Sequence, residues 1–294
     1  MPTDGMPGPS WNILLDIQQM WSFPFMVNAF RAGAIVAVAA AAMGWFMVLR
    51  RQSFAGHTLA VVGFPGASGA ALLGLSTTAG YFGFCVAAAL LIAAIPRVGR
   101  HGHESAATGI TQAFALGLGF LFVTLYHGYL DGLNALLFGT FLGVTGRQVL
   151  VLGAVTVAVL ITLAAIGRPL LFASIDPVVA QAKGVPVRTL SVLFLVLLGA
   201  AVAEASQITG SLLVFALLVM PAASAQAITA RPLLGLVLSA VIGVVVTWVG
   251  LGVAYYSDYP IGFYVTTFAF VVFVATRAIR AGLARSGRRA VAAA

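Results

Sequence analysis

Stretches near 26–49, 58–76, 78–96, 106–126, 149–170, 189–205, 210–229, 233–256 and 261–277 each run apolar for about twenty residues, the length that crosses a bilayer. No other feature constrains the fold as much. Only 7% of the residues are charged, where soluble domains carry about 25%. So few charges cannot cover a surface against water, and the solvent is lipid. Backbone groups in hydrocarbon must pair within their own segment, and two-residue alternation is absent, so each run reads as a helix. The expectation is an all-α polytopic membrane protein with about eight or nine transmembrane helices. Residues 1–25 read as an amphipathic, interfacial segment, 26–277 as one transmembrane domain and 278–294 as a basic tail.

The net charge of +8 does not point to nucleic acid, because the basic residues flank apolar runs instead of lining one face. Nine spans put the termini on opposite sides. With the C-terminus in the cytoplasm and the N-terminus outside, Arg50, Arg51, Arg97, Arg100, Arg168, Lys183, Arg188, Arg231 and the tail arginines Arg277, Arg280, Arg285, Arg288 and Arg289 all face the cytoplasm. Only Arg31 and Arg147 fall outside that pattern, which obeys the positive-inside bias of a cytoplasmic or inner membrane. Residues 1–22 lack the basic start and apolar core of a cleavable signal. Instead, "WNILLDIQQMW" suggests a short interfacial helix bounded by Trp11 and Trp21. The glycine-rich stretch 127–148 reads as a half-helix or re-entrant piece.

The chain lacks the chemistry of an ATPase. A phosphate-binding loop needs a lysine within a glycine-rich turn, and the one lysine, Lys183, stands in "QAKGVP". Any ATP hydrolysis therefore belongs to a separate subunit, and the chain itself is read as no enzyme. Cys85 is the only cysteine, so no intrachain disulfide forms. "RHGHES", Arg100–Ser105, is either a metal-binding loop or a solvated turn.

Ionisable groups inside spans are costly and mark pathways. Arg31 lies early in the first span and can snorkel to the headgroups. His57 is either an interfacial helix-start residue or part of a path. Glu204 and Gln207, ahead of "TG", either line the mouth of a cavity or cap a helix. Pro65 removes a backbone donor inside span two, where Gly63 and Gly66 let neighbours approach. Pro221 repeats the arrangement in span seven, and two proline-broken spans in separate halves suggest a site between them. In "FASIDPVVAQAKGVPVRTL", Asp176 is an N-cap, Pro177 fits the first helical position and Gly184 ends the helix. Such a short capped helix, with Lys183 and Arg188 beside it, suits a groove on a soluble partner.

Four stretches, "VLRRQSFAGHTLA…FPGASGA", "ESAATGITQAFALGLG", "DPVVAQAKGVPV" and "QITGSLLVFALLVMPAASAQAIT", together resemble the membrane-spanning permeases of ABC importers for manganese, zinc and iron. The resemblance implies a type II-like importer fold and a homodimer whose helices surround a translocation path. It also implies a dimer of cytoplasmic ATPases below and an extracytoplasmic solute-binding protein above. By the same resemblance, Asp176, Pro177, Ala180, Ala182, Lys183 and Gly184 belong to the region that couples to the ATPase. A divalent ion, zinc or manganese, would pass through without being held permanently. Relatives carry an aspartate and, four residues on, a histidine as metal contacts; here those positions are His57 and Val61. The acidic pair common at the start of the fourth span is reduced to Glu104 followed by Ser105. Imidazole suits zinc better than manganese, for which carboxylate is the usual ligand. The competing classes are an ion-driven secondary carrier, which wants acidic relays where only Glu204 qualifies, and an ABC permease for a chelate such as a siderophore or cobalamin.

Overall fold

Helices, with no strand, account for the regular structure of the described residues, as a backbone in hydrocarbon requires. The computed structural model describes residues 12–94, 102–126, 143–257 and 259–292. A short helix α1 (Ile13–Trp21) leads into α2 (Pro24–Leu49), α3 (Ser53–Leu72), α4 (Thr77–Ala94) and α5 (Gly102–Leu125). After the 127–142 stretch, α6 (Gly146–Ile175), the six-residue α7 (Pro177–Ala182) and α8 (Val187–Thr209) follow. Helices α9 (Ser211–Ile228), α10 (Pro232–Tyr255) and α11 (Ile261–Ala292) complete the bundle. The interfacial helix expected from "WNILLDIQQMW" is α1, while Trp11 and most of the glycine-rich 127–148 stretch lie outside the described residues. Of "RHGHES", Arg100 and His101 also lie outside them, and Gly102 onward is the first turn of α5, not a loop.

All nine apolar runs are helices, but they are not equally apolar. Seven are long and apolar enough to span a membrane by length and composition, and α9 contributes a shorter apolar segment, Leu213–Ile228. Helix α3 is diluted by Ser, Gly, His and Pro, and it is buried along most of its length. The outer helix α11 is the opposite case, with only 11% of its apolar window buried. A helix surrounded by protein has no need of a lipid-facing surface, so the inner helices are the ones free to carry polar groups.

Lipid tails are as apolar as leucine, so helices here associate through close packing and side chains that bond backbone carbonyls. Helix α2 is the hub, packed against α6, α8, α9 and α10. Gln226 Nε2 donates to the Trp45 carbonyl (2.8 Å) and Trp248 Nε1 to the Phe30 carbonyl (3.2 Å). Asn28 Nδ2 donates to the Val144 carbonyl (3.2 Å), which sets the start of α6 beside the start of α2. Thr145 caps α6 in a reciprocal pair with Gln148, serving two orphan donors. Helix α6 continues through Pro169 to Ile175, past the expected end near 170, because one proline bends a buffered membrane helix without ending it.

Helices α3 and α4 approach each other backbone to backbone. A Cβ on Gly66 would lie 2.3 Å from the Gly80 carbonyl oxygen and 2.6 Å from Phe84 Cβ. Backbone cannot yield as a flexible side chain does, so Gly66→Val forces the two helices apart. We expect the purified variant to cost about 1–3 kcal/mol of stability, the range for overpacking, read as a lowered melting temperature in detergent. An unchanged melting curve would show that this contact is not needed.

Candidate functional site

Helix α3 begins after a tight corner at the end of α2, where Arg51 takes a left-handed φ of 56°. One turn into α3, the His57 ring packs against Phe215 of α9, with centroids 4.6 Å apart. The imidazole is half-buried, and its Nδ1 atom is buried without a hydrogen-bond partner. A buried polar atom left unpaired is costly unless something else uses it. A neutral imidazole with a free ring nitrogen is also the form that binds a metal ion. Thr58, next along, turns to α5 and donates to Gln112 Oε1 at 2.9 Å. Val61, one turn beyond His57, is only 6% exposed and adds no donor atom.

Around Pro65, α3 is tied both to α4 and within itself. Proline offers no N–H to the carbonyl one turn earlier. Tyr81 Oη donates to the Ala60 carbonyl (3.0 Å), Cys85 Sγ lies 3.4 Å from the Leu59 carbonyl, and Ser68 Oγ donates to the Phe64 carbonyl (3.1 Å). Gly63 faces the Tyr81 ring so closely that a Cβ there would fall 1.9 Å from a ring carbon. Gly63 and Gly66 thus set the α3–α4 contact. Pro221 of α9 is buried, and a methyl on Gly243 of α10 would reach its Cγ at 3.8 Å.

Glu204 is buried in α8, at 9% exposure. It precedes the helix end at Thr209 by more than a turn. The orphan groups at a helix C-terminus are carbonyls, which a carboxylate cannot serve, so Glu204 is not a cap. Gln207 lies in the last turn of α8. A single residue, Gly210 at φ 78°, joins α8 to α9, and this corner is buried between Thr209 and Ser211. No group of three or more His, Cys, Asp or Glu side chains placed to hold a metal occurs among the described residues. Among the described residues, His57 and Glu204 therefore belong to no such cluster.

The end of the bundle that carries Arg50 and Arg231 also carries α7. Asp176 Oδ1 accepts from Val178 N (3.1 Å) and Val179 N (3.0 Å), and Pro177 occupies the first helical position. Lys183 closes the helix, and Gly184 turns the chain at φ 82°, a conformation an L side chain resists. Ala180 is fully buried and anchors α7 to the bundle, whereas Ala182 and Lys183 are exposed. Ile175 is 67% exposed and Val178 77%. The result is a rigid knob with an apolar tip. We expect Asp176→Ala to remove about 1 kcal/mol from this helix, measurable as a lowered melting temperature in detergent. An unchanged melting curve would show that the cap is not needed.

The sequence profile described as the ABC 3 transport family matches residues 22–280. The chain belongs to that family. The ABC 3 chain is 30% identical over 242 residues to the manganese transport system membrane protein MntC of Halalkalibacterium halodurans, covering 82% of each. It is 28% identical to the chelated iron transport system membrane protein YfeC of Yersinia pestis, over 87% of this chain and 86% of that one. Among solved structures, PsaBC from Streptococcus pneumoniae in complex with Fab matches with a TM-score of 0.80 and 28% identity, over 90% of this chain and 95% of that one. The ABC 3 chain is thus a multi-pass transporter permease with the all-α fold expected from its sequence.

Two features of this ABC 3 site escaped the sequence. Arg50 reaches Ser174 and Ser191, 124 and 141 residues away, and no local spacing announces such a contact. Tyr81 and Cys85 as partners of the Ala60 and Leu59 carbonyls were equally hidden, since both look like ordinary apolar packing.

Proposed function

We propose that this permease carries a divalent transition-metal ion into the cell as part of an ATP-driven importer, with zinc favoured over manganese. The observation that carries the reading is the free Nδ1 of His57, a buried imidazole nitrogen on an inner helix. The relatives named for manganese and chelated iron transport support the cargo class. An imidazole at position 57, where the resemblance implies a carboxylate, supports zinc.

In this reading two copies of the chain form the translocation path, and each offers one His57 to the passing ion. Two nitrogens hold an ion weakly, which suits a conduit that must release its cargo. Glu204 and Gln207 line the same route further along, and Pro65 and Pro221 bend the helices that wall it. Two cytoplasmic ATPase subunits dock on the α7 knobs, and an extracytoplasmic solute-binding protein delivers the ion at the opposite face. The orientation, N-terminus outside and C-terminus in the cytoplasm, rests on the arginines at the α7 end of the bundle.

The test is the complex reconstituted in vesicles with its ATPase and binding protein. ATP-dependent uptake of zinc, with ATPase stimulation greater for zinc than for manganese, is the expected result. Uptake driven by an ion gradient without ATP would overturn the class. Stimulation by manganese alone would overturn the preference for zinc.

A further inference from the structure

The guanidinium of Arg50 gathers three separate pieces of the chain at the α7 end of the bundle. Nε donates to Gln52 Oε1 at 3.1 Å, Nη1 to Ser174 Oγ at 3.1 Å and Nη2 to Ser191 Oγ at 2.6 Å. Its Cζ also lies 5.4 Å from the centroid of the Phe194 ring. Each partner has a distinct address. Gln52 is the residue from which α3 starts. Ser174 stands in the last turn of α6, two residues before the Asp176 cap, and Ser191 in the first turns of α8. Between those two serines lie the last residue of α6, α7 with its flanking turns, and the first turn of α8.

One side chain therefore grips both roots of the α7 knob and the root of α3. The α2–α3 corner gives this grip leverage. Arg50 N–H bonds back to Phe46 O (2.9 Å) and Gln52 N–H to Met47 O (2.9 Å), which fixes the corner to the end of α2. His57 then follows Gln52 by five residues, roughly 7–8 Å along the helix. A displacement of α7 that left Arg50 behind would strip hydrogen bonds from a half-buried cation, and bonds to charged groups are among the stronger ones. The fork geometry of the guanidinium holds two directions at once, which an ammonium cannot copy. Moving with α7 is the lower-energy course for Arg50, and α3 moves with Arg50.

We propose that Arg50 is a positioning residue for energy coupling: it passes the movement of the ATPase-docking knob to α3 and so to His57. The inference rests on the reading of α7 as the docking element, and it adds the route by which docking reaches the path. It makes no claim on the ion carried.

The experiment measures ions taken up per ATP hydrolysed by the reconstituted complex, together with complex assembly and melting temperature. We expect Arg50→Ala to keep assembly and ATP hydrolysis while that ratio falls about tenfold, within the range of ordinary coupling energies. Ser174→Ala combined with Ser191→Ala leaves the arginine in place and should lower the ratio in the same direction. Arg50→Lys should fall between Arg50→Ala and the parent. A ratio that stays at the parental value in the double serine variant overturns the proposal. So does a loss of uptake in Arg50→Ala matched by an equal loss of assembly and melting temperature while the serine variant is normal, since that marks a structural staple. Should Arg50→Ala fail to fold, the serine pair alone decides. Val178→Asp separates the underlying reading: a complex that still assembles with this variant removes α7 as the docking element, whatever the Arg50 ratio shows.

Discussion

Replacing His57 by alanine lowers metal uptake by about tenfold or more, while the permease still assembles with its ATPase. The magnitude follows from the chemistry of ligands. Loss of a mere outer-shell partner typically costs about 10–100-fold in metal affinity or activity, so loss of a direct contact should do no less. The folded structure should tolerate the change, because Nδ1 has no hydrogen-bond partner to lose. The substitution also removes the ring's contact with Phe215. Metal uptake by vesicles containing the variant complex, alongside co-purification of the ATPase, checks both halves. Normal uptake in the variant would sink the assignment of His57 to the path. A companion variant tests selectivity: His57→Asp with Val61→His installs the pair that the family resemblance implies, and should shift ATPase stimulation from zinc toward manganese. Val61 is buried and one turn from His57 on α3, so the new histidine enters the same wall of the helix.

Most of this architecture can be read from the sequence because lipid removes choices. A long apolar run has to become a helix, and all nine runs did so. The short capped helix α7 was equally legible, since Asp176, Pro177 and Gly184 act through local backbone chemistry that spacing alone displays. The interior was harder to read. Gly63 and Gly66 announce close approach but not their partners, and Tyr81 and the Gly80 backbone became visible only in three dimensions. Glu204 could be called a cap or a wall residue from sequence. Its position inside α8 removes the first option, because helix length cannot be fixed to a turn from hydropathy. Arg50 shows the limit most clearly. As one half of an arginine pair at a span end it looked like a topological flank, yet its side chain is committed to two serines on other helices. Charge bias explains why an arginine stands at that end of the bundle, but not what its guanidinium holds.

Val178→Asp should abolish productive docking of the ATPase. Val178 is 77% exposed at the tip of α7, beside Ile175 at 67%, while Ala180 behind them is fully buried. An apolar tip on a rigid stem is the shape of an interface anchor, and truncating or charging such an anchor typically costs at least 2 kcal/mol of binding, about 30-fold in affinity. The substitution leaves the fold alone, because it keeps the residue-178 backbone N–H that bonds Asp176 and does not touch the Gly184 turn. An aspartate in an apolar groove must also shed its water without gaining a partner, which adds to the loss. The permease should therefore melt as the parent does, yet fail to retain the ATPase on an affinity column. Ala182→Asp offers a graded control. That residue is exposed on the same short helix, near Lys183, and a charge there meets the rim of the contact, where single charges matter less than at the centre. Equal retention of the ATPase by the Val178→Asp variant and the parent would show that α7 is a connecting helix only. The importer would then have to couple through another part of the Arg50 end of the bundle.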